Sequence, residues 1–202
     1  LPTHGERLLQ LLQRLAVVEG SLAAIVLTHR HLDHAGSARL LGRWYRAPVV
    51  VHAADAAAVE GEQRLSPVRG RLGRVVEPVV ALMDRRVFRY GPCRVLPLQE
   101  GLSAHGLRLL SLPGHTPGHS GFVHQASGVV FGGDAAKNEG GALAHPSALF
   151  TLDPAATRRS QRRLAELDAD LYCFGHGPPL ARGAAALRRL AAPDLPGPRK
   201  TS

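Results

Sequence analysis

Thr28-His29-Arg30-His31-Leu32-Asp33-His34 sets four side chains able to bind a metal within six positions. They follow the apolar run Leu22 to Leu27, which reads as a short buried strand. On an extended chain His29, His31 and Asp33 point to one side. His34 breaks that alternation and must reach a different point. The spacing therefore suits two neighbouring ions rather than one; the alternative is a polar sheet face with no ion. Imidazoles and carboxylates without a thiolate suit zinc, iron or manganese in an open site, not a closed structural zinc knot.

Three more apolar segments end in Gly/Pro-rich turns that carry a His or an Asp. Leu107 to Leu112 runs into Pro113-Gly114-His115-Thr116-Pro117-Gly118-His119. Gly128 to Phe131 runs into Gly132-Gly133-Asp134, and Asp170 to Phe174 into Gly175-His176-Gly177-Pro178. Glycines let the backbone turn sharply and approach an ion closely. Loops at strand ends, held by a rigid sheet, are a common place for a site.

The joint set H-x-H-x-D-H, G-H-T-P-G-H, G-G-D and G-H-G resembles the metallo-β-lactamase-fold hydrolase superfamily, in its glyoxalase II-like and generic hydrolase branch. The resemblance covers about residues 5–190 and implies an α/β fold, the αββα sandwich. It implies that His29, His31 and His115 hold one metal, that Asp33, His34 and His176 hold a second, and that Asp134 bridges the two. His119 is then a hydrogen-bonded support for its loop rather than a ligand. Two divalent ions are implied, zinc first, with iron or manganese as alternatives. Ions sharing a carboxylate can also share a water and convert it to hydroxide. The expected reaction is hydrolysis of a small carbonyl substrate (a thioester, ester or lactone), with Asp134 and Asp33 as catalytic residues. Asp33 either serves as a ligand alone or also handles the proton of that water. The rivals are a phosphodiesterase or nuclease of the same fold, a mononuclear-iron sulfur dioxygenase, and a site that only stores metal. Asp134 argues against β-lactam hydrolysis, because true β-lactamases of this fold generally lack the bridging Asp. Glyoxalase II-like proteins usually add a C-terminal helical region, and one short helix and a tail follow His176 here.

The elements that must position these loops are partly legible. Leu8, Leu9, Leu11, Leu12 and Leu15 recur at helical spacing and predict a helix over residues 5–17. A second helix is expected over Ser37–Arg46, a strand over Pro48–Val51, and a helix from Asp55 to Glu60 with Asp55 as its cap. Residues 61–84 are punctuated by Arg, Gly and Pro and take no assignment. Strands and turns are expected over Val87–Leu112, a helix from Asp153-Pro154 to Leu167, and a last helix over Ala181–Leu190. Relatives usually open with two or three strands, which this sequence lacks. The first sheet is thus expected to carry an open edge, covered by a second copy in a homodimer or by residues not in this sequence. A single domain over residues 1–191 and a disordered Pro-rich tail over 192–202 complete the expectation.

Composition limits the partners. The chain has 202 residues, a formal net charge of +9 and a pI near 10.9. Such a balance normally raises nucleic acid as a partner. Lysine, however, occurs only at Lys137 and Lys200, and the arginines are scattered through helices, as at Arg158, Arg159, Arg162 and Arg163. A small-molecule substrate is expected rather than nucleic acid. Cys93 and Cys173 fit no disulfide framework. No apolar stretch approaches the ~20 residues of a membrane span and no signal sequence is evident, so the expected setting is the cytoplasm, without a membrane. Lys137, three residues after Asp134, is a candidate contact for a substrate carboxylate or phosphate. His145, Tyr172 and Arg182 are candidates for the mouth of the site. His52, His105 and His124 read as surface or internally bonded histidines.

Overall fold

The computed structural model describes residues 2–66, 70–88, 92–101 and 103–192. Residues 193–202 of the expected tail lie outside the described residues. In chain order the elements are α1 (Pro2–Arg14), β1 (Ile25–Val26), α2 (Leu32–Ala35), α3 (Ala38–Trp44), β2 (Val49–His52), α4 (Ala53–Glu60) and α5 (Gly70–Phe88). There follow β3 (Val95–Leu98), β4 (Ser103–Ala104), β5 (Leu107–Ser111), β6 (Ser120–His124), β7 (Val129–Gly133), β8 (Lys137–Glu139) and β9 (Ala142–Ala144). The chain closes with α6 (Pro154–Ala165), β10 (Leu171–Phe174), β11 (Leu180–Ala181) and α7 (Ala184–Leu190).

Two larger sheets share the work, beside an antiparallel β8-β9 pair. The first has the order β1-β2-β3, with both pairings parallel. Val49 and Val51 of β2 are fully buried and pack with Leu27, just after β1, and with Ala38, Ala56 and Val59 from the flanking helices. The second has the order β11-β10-β7-β6-β5-β4 and is antiparallel except where β10 runs parallel to β7. Its core joins Leu110, Leu112, Val130, Tyr172 and Phe174 to Leu164 of α6 and Leu187 of α7. The sheets meet where Ser120 N–H donates to Thr28 O at 2.8 Å, and where His52 Nε2 and Ser111 Oγ lie 3.2 Å apart. Among the described residues no strand precedes β1, and no helix is long and apolar enough to cross a membrane.

Several local expectations need correcting. Helix α4 starts at Ala53, and His52 caps it, its Nδ1 accepting from Ala54 N–H at 3.1 Å. Asp55 is not the cap; it is fully buried and bonded elsewhere. The unassigned stretch contains the 19-residue α5, which absorbs Val87 and Phe88, expected as strand. It tolerates Pro78 because the helix lies at the surface, where the carbonyl left without a partner can reach water. The last helix begins at Ala184, since Leu180 and Ala181 pair with β10 as β11. At α6 the sequence signal holds: Asp153 Oδ1 accepts from Ala156 N–H at 2.9 Å, and Pro154 occupies the first turn. Such a cap contributes about 1 kcal/mol.

Candidate metal centre

The residues expected to bind metal come from loops at one end of both sheets, and the structure draws all seven together. The ring centroids of His29 lie 4.8 Å from His31, 4.9 Å from His115 and 4.1 Å from His34. Three groups have donor atoms within 4.8 Å of one another: His29, His31 and His115; His29, His34 and Asp134; Asp33, His34 and His176. Asp134 lies between the others, with Oδ1 3.2 Å from His34 Nε2 and Oδ2 3.5 Å from His115 Nε2 and 3.3 Å from His176 Nε2. The extended alternation of His29, His31 and Asp33 is not what delivers Asp33. The chain turns helical at Leu32, whose N–H donates to Ser66 Oγ at 2.9 Å. That turn carries Asp33 and His34 to the second group, where Asp33 Oδ2 stands 3.3 Å from His176 Nε2.

Each loop is held by bonds that also set the state of its ligand. Thr151 Oγ1 donates to Ser147 O at 2.7 Å, so it accepts from His115 Nδ1 at 3.0 Å and leaves the His115 Nε2 lone pair facing the cluster. His119 donates from Nδ1 to Leu112 O at 3.0 Å and accepts from Asp134 N–H at Nε2 at 2.9 Å. Both its nitrogens are committed, so it supports the backbone of Asp134. Asp55 accepts from Arg30 N–H at 3.1 Å, Thr116 Oγ1 at 2.6 Å and Gly118 N–H at 3.0 Å, tying the first histidine loop to the second. Gln161 Nε2 donates to Ala135 O at 2.7 Å and braces the turn after Asp134. Gly175 must be glycine, because a Cβ there would strike Asp134 Oδ1 and His34. Gly133 sits at φ 51°, with His119 and Thr28 closing the space beside it.

The electrostatics fit a cation. Burial lowers the pKa of His29 well below its ordinary value, and the neighbouring histidines add to the effect. Burial with His115 takes His31 to about 2, burial lowers His115, and burial with His115 takes His119 to about 3. These rings are therefore neutral, and the Nε2 atoms of His29 and His31 are buried without a hydrogen-bond partner. Desolvation opposes ionisation of Asp134, yet its hydrogen bond to His34 and the charge of that ring win, taking it to about 2. Burial pulls His34 down, but Asp134 and then Asp33 outweigh it and raise it. Orphaned imidazole nitrogens packed around an ionised carboxylate are what a divalent cation satisfies.

The cluster opens into a cavity of about 440 Å³, lined on one side by Leu32, Val80, Met83, Pro146 and Phe150. Lys137 also lines it, with Nζ 2.5 Å from Glu139 Oε1. The other mouth candidates do not. Tyr172 is fully buried, its hydroxyl accepting from Ala169 N–H at 3.1 Å; His145 pairs with Gln161, and Arg182 bonds through its backbone to Asp170. His52 and His124 are internally bonded, as expected.

A sequence model of the metallo-beta-lactamase superfamily matches residues 2–176. The chain belongs to the metallo-beta-lactamase superfamily. It is 30% identical over 177 residues to "Probable metallo-hydrolase YflN" of Bacillus subtilis (strain 168), covering 79% of this chain and 66% of that protein. It is 31% identical over 129 residues to hydroxyacylglutathione hydrolase GloC of Haemophilus influenzae, covering 62% of this chain and 55% of that one. Among solved structures it resembles TTHA1623 in a di-iron-bound form, with a TM-score of 0.66 and 31% identity over 90% of this chain and 81% of that one. The chain thus spans about half to two thirds of the length of the curated relatives it matches. The metallo-beta-lactamase fold accounts for the two sheets with their flanking helices. The superfamily binds divalent metals, which agrees with the His/Asp cluster.

Proposed function

We propose that this protein is a metal-dependent hydrolase that holds two divalent ions and acts on a small carbonyl substrate: a thioester, an ester or a lactone. The observation that carries the reading is the pair of His/Asp groups joined at Asp134 and opening on an apolar cavity. In this reading His29, His31 and His115 hold one ion, Asp33, His34 and His176 the other, and Asp134 serves both. Zinc is the first choice, with iron and manganese as alternatives; a di-iron-bound relative keeps iron in contention. Divalent ions there would supply Lewis acidity, polarising a carbonyl and making water nucleophilic near neutral pH.

The chain's own residues shape the rest. Leu32, Val80, Met83 and Phe150 would hold the apolar part of a substrate and exclude water, while Lys137 receives an anionic group. Asp33 and Asp134 are the acids lining the cavity, and only Asp33 is exposed. Asp33 is therefore the candidate to orient the attacking water and pass on its proton. With so weak a provision for protonating a leaving group, thiolates and strained alkoxides leave more readily than amines. Similarity to a hydroxyacylglutathione hydrolase supports the same choice, since an acylglutathione is a thioester. The test is zinc-loaded protein offered thioesters, lactones, phosphodiesters and β-lactams. The expected result is turnover of a thioester or lactone with little on β-lactams. Phosphodiester cleavage much faster than every thioester and lactone would overturn the reading.

A further inference from the structure

Helix α5 has apolar residues on both of its faces. Three adjacent pairs, Val75-Val76, Val79-Val80 and Leu82-Met83, recur along it at helical spacing. The second member of each pair is partly buried, and Val80 and Met83 line the cavity. The first members face solvent: Val75 is 73% exposed, Val79 57% and Leu82 53%. Three large apolar side chains in register on one exposed helix face exceed the scattered apolar residues of an ordinary surface. Among the described side chains of the helix, the exposed charges have one sign. Arg71 and Arg74 near the start of the helix and Arg85 near its end are exposed. Its acids do not offset them, since Glu77 pairs with Arg64 at 2.7 Å and Asp84 is buried, accepting from Leu65 N–H at 3.2 Å.

A second copy of this chain is a poor occupant for that face. A two-fold contact repeats the same patch on both partners. Centred on Val79, it would bring Arg71 and Arg74 of one copy against Arg85 of the other. An anionic lipid surface complements both features, because apolar side chains enter the headgroup–acyl boundary while arginines meet the headgroups. A helix lying in that plane needs no membrane span, so the lack of a spanning helix is no obstacle.

We propose that α5 is an interfacial helix that seats the protein on an anionic lipid surface through Val75, Val79 and Leu82, with Arg71, Arg74 and Arg85 as its electrostatic anchors. The cavity then lies across one helix from the lipid, about 10 Å. The proposal stands independently of the reaction catalysed at the metal centre.

The test is co-sedimentation of the full chain with vesicles of phosphatidylcholine alone and of phosphatidylcholine mixed with phosphatidylglycerol. A variant carrying Val75→Ser, Val79→Ser and Leu82→Ser keeps the net charge and changes only exposed positions; its circular dichroism and metal content report that it is folded. The wild type is expected to pellet with the mixed vesicles and to bind neutral ones about tenfold less or weaker. The variant is expected to lose about tenfold in binding to the mixed vesicles. Failure of the wild type to bind, or undiminished binding by the variant, would overturn the proposal, the latter pointing to the general charge of the chain. A lipid-free dimer that the same variant dissociates would also overturn it, assigning the stripe to a second copy.

Discussion

The two ends of the metal cluster see different amounts of water. His29, His31 and His115 are buried, each within 5 Å of another ring of the three, and Thr151 and Asp55 hold their loops from behind. Asp33 and His176 lie at an exposed rim with His34 between them and Asp134. The first group is neutral and braced before any ion arrives, so an ion there repays desolvation already incurred in folding. The second group supplies an exposed carboxylate, so an ion there would compete with solvent. If both groups are filled as proposed, an unequal pair would follow: a tightly held inner ion and an exchangeable outer one facing the cavity.

The largest effect that would break this picture is at the residue shared by both groups. Asp134→Ala should lower turnover on the order of 10³-fold, a loss of several kcal/mol of transition-state stabilisation, and should reduce the metal content. Steady-state kinetics with elemental analysis checks both. Activity within a few-fold of wild type would remove Asp134 from the centre.

Metal removal should act on stability next. Loops distant in sequence are tied through the cluster, so binding contributes to folding free energy. Stripping the metal should lower Tm by about 10 °C, given roughly 4 kcal/mol from tight binding and about 2–4 °C per kcal/mol for a chain of this size. Restored zinc should recover it. An unchanged melting curve after verified stripping would contradict the link.

Acid should sharpen the contrast in the metal-free protein. His31 and His119 have folded pKa values of about 2 and about 3 against an ordinary 6.5, and His29 and His115 are lowered as well. The unfolded chain binds protons at these sites below 6.5 while the folded chain does not, so stability is lost as pH falls from 6.5 toward those values. Asp134, lowered from 3.8 to about 2, adds a further loss between those two values. His34 is raised and works oppositely, contributing stability below 6.5 that disappears as pH rises through its folded value. With four histidines against one, the apo protein should be less stable at pH 5 than at pH 7.5. Denaturant titration at the two pH values reads the sign, and equal midpoints would refute it.

The smallest effect separates the halves most finely. Thr151→Val removes the acceptor of His115 Nδ1 at the inner group and touches nothing at the rim. It should weaken the inner ion by about 10–100-fold and leave the outer ion's affinity unchanged. Zinc titration resolved into two phases decides; an effect on the outer phase alone would invert the assignment.

What the sequence made legible follows from distance along the chain. His29, His31, His34, His115, Asp134 and His176 stand out because each sits in a short turn whose residue types are unusual together. The supports do not stand out, since Asp55, Thr151 and Gln161 act across 63, 36 and 26 positions and nothing local marks them. Asp33 was visible as a residue, but its placement depends on a helical turn that strand alternation cannot foresee. Helix α5 has no clear signal in the sequence, because paired apolar residues blur a single stripe and Pro78 mimics a breaker. Tyr172 looked polar enough for a mouth, yet its hydroxyl finds its partners inside the core.

Metal content under staged chelation tests the central claim most directly. Fully metal-loaded protein should carry two ions per chain by elemental analysis, and brief exposure to a mild chelator should leave one, which Thr151→Val then weakens. One ion or none in the loaded protein, or two lost together at a single chelator strength, would contradict a braced inner site paired with an exchangeable outer one.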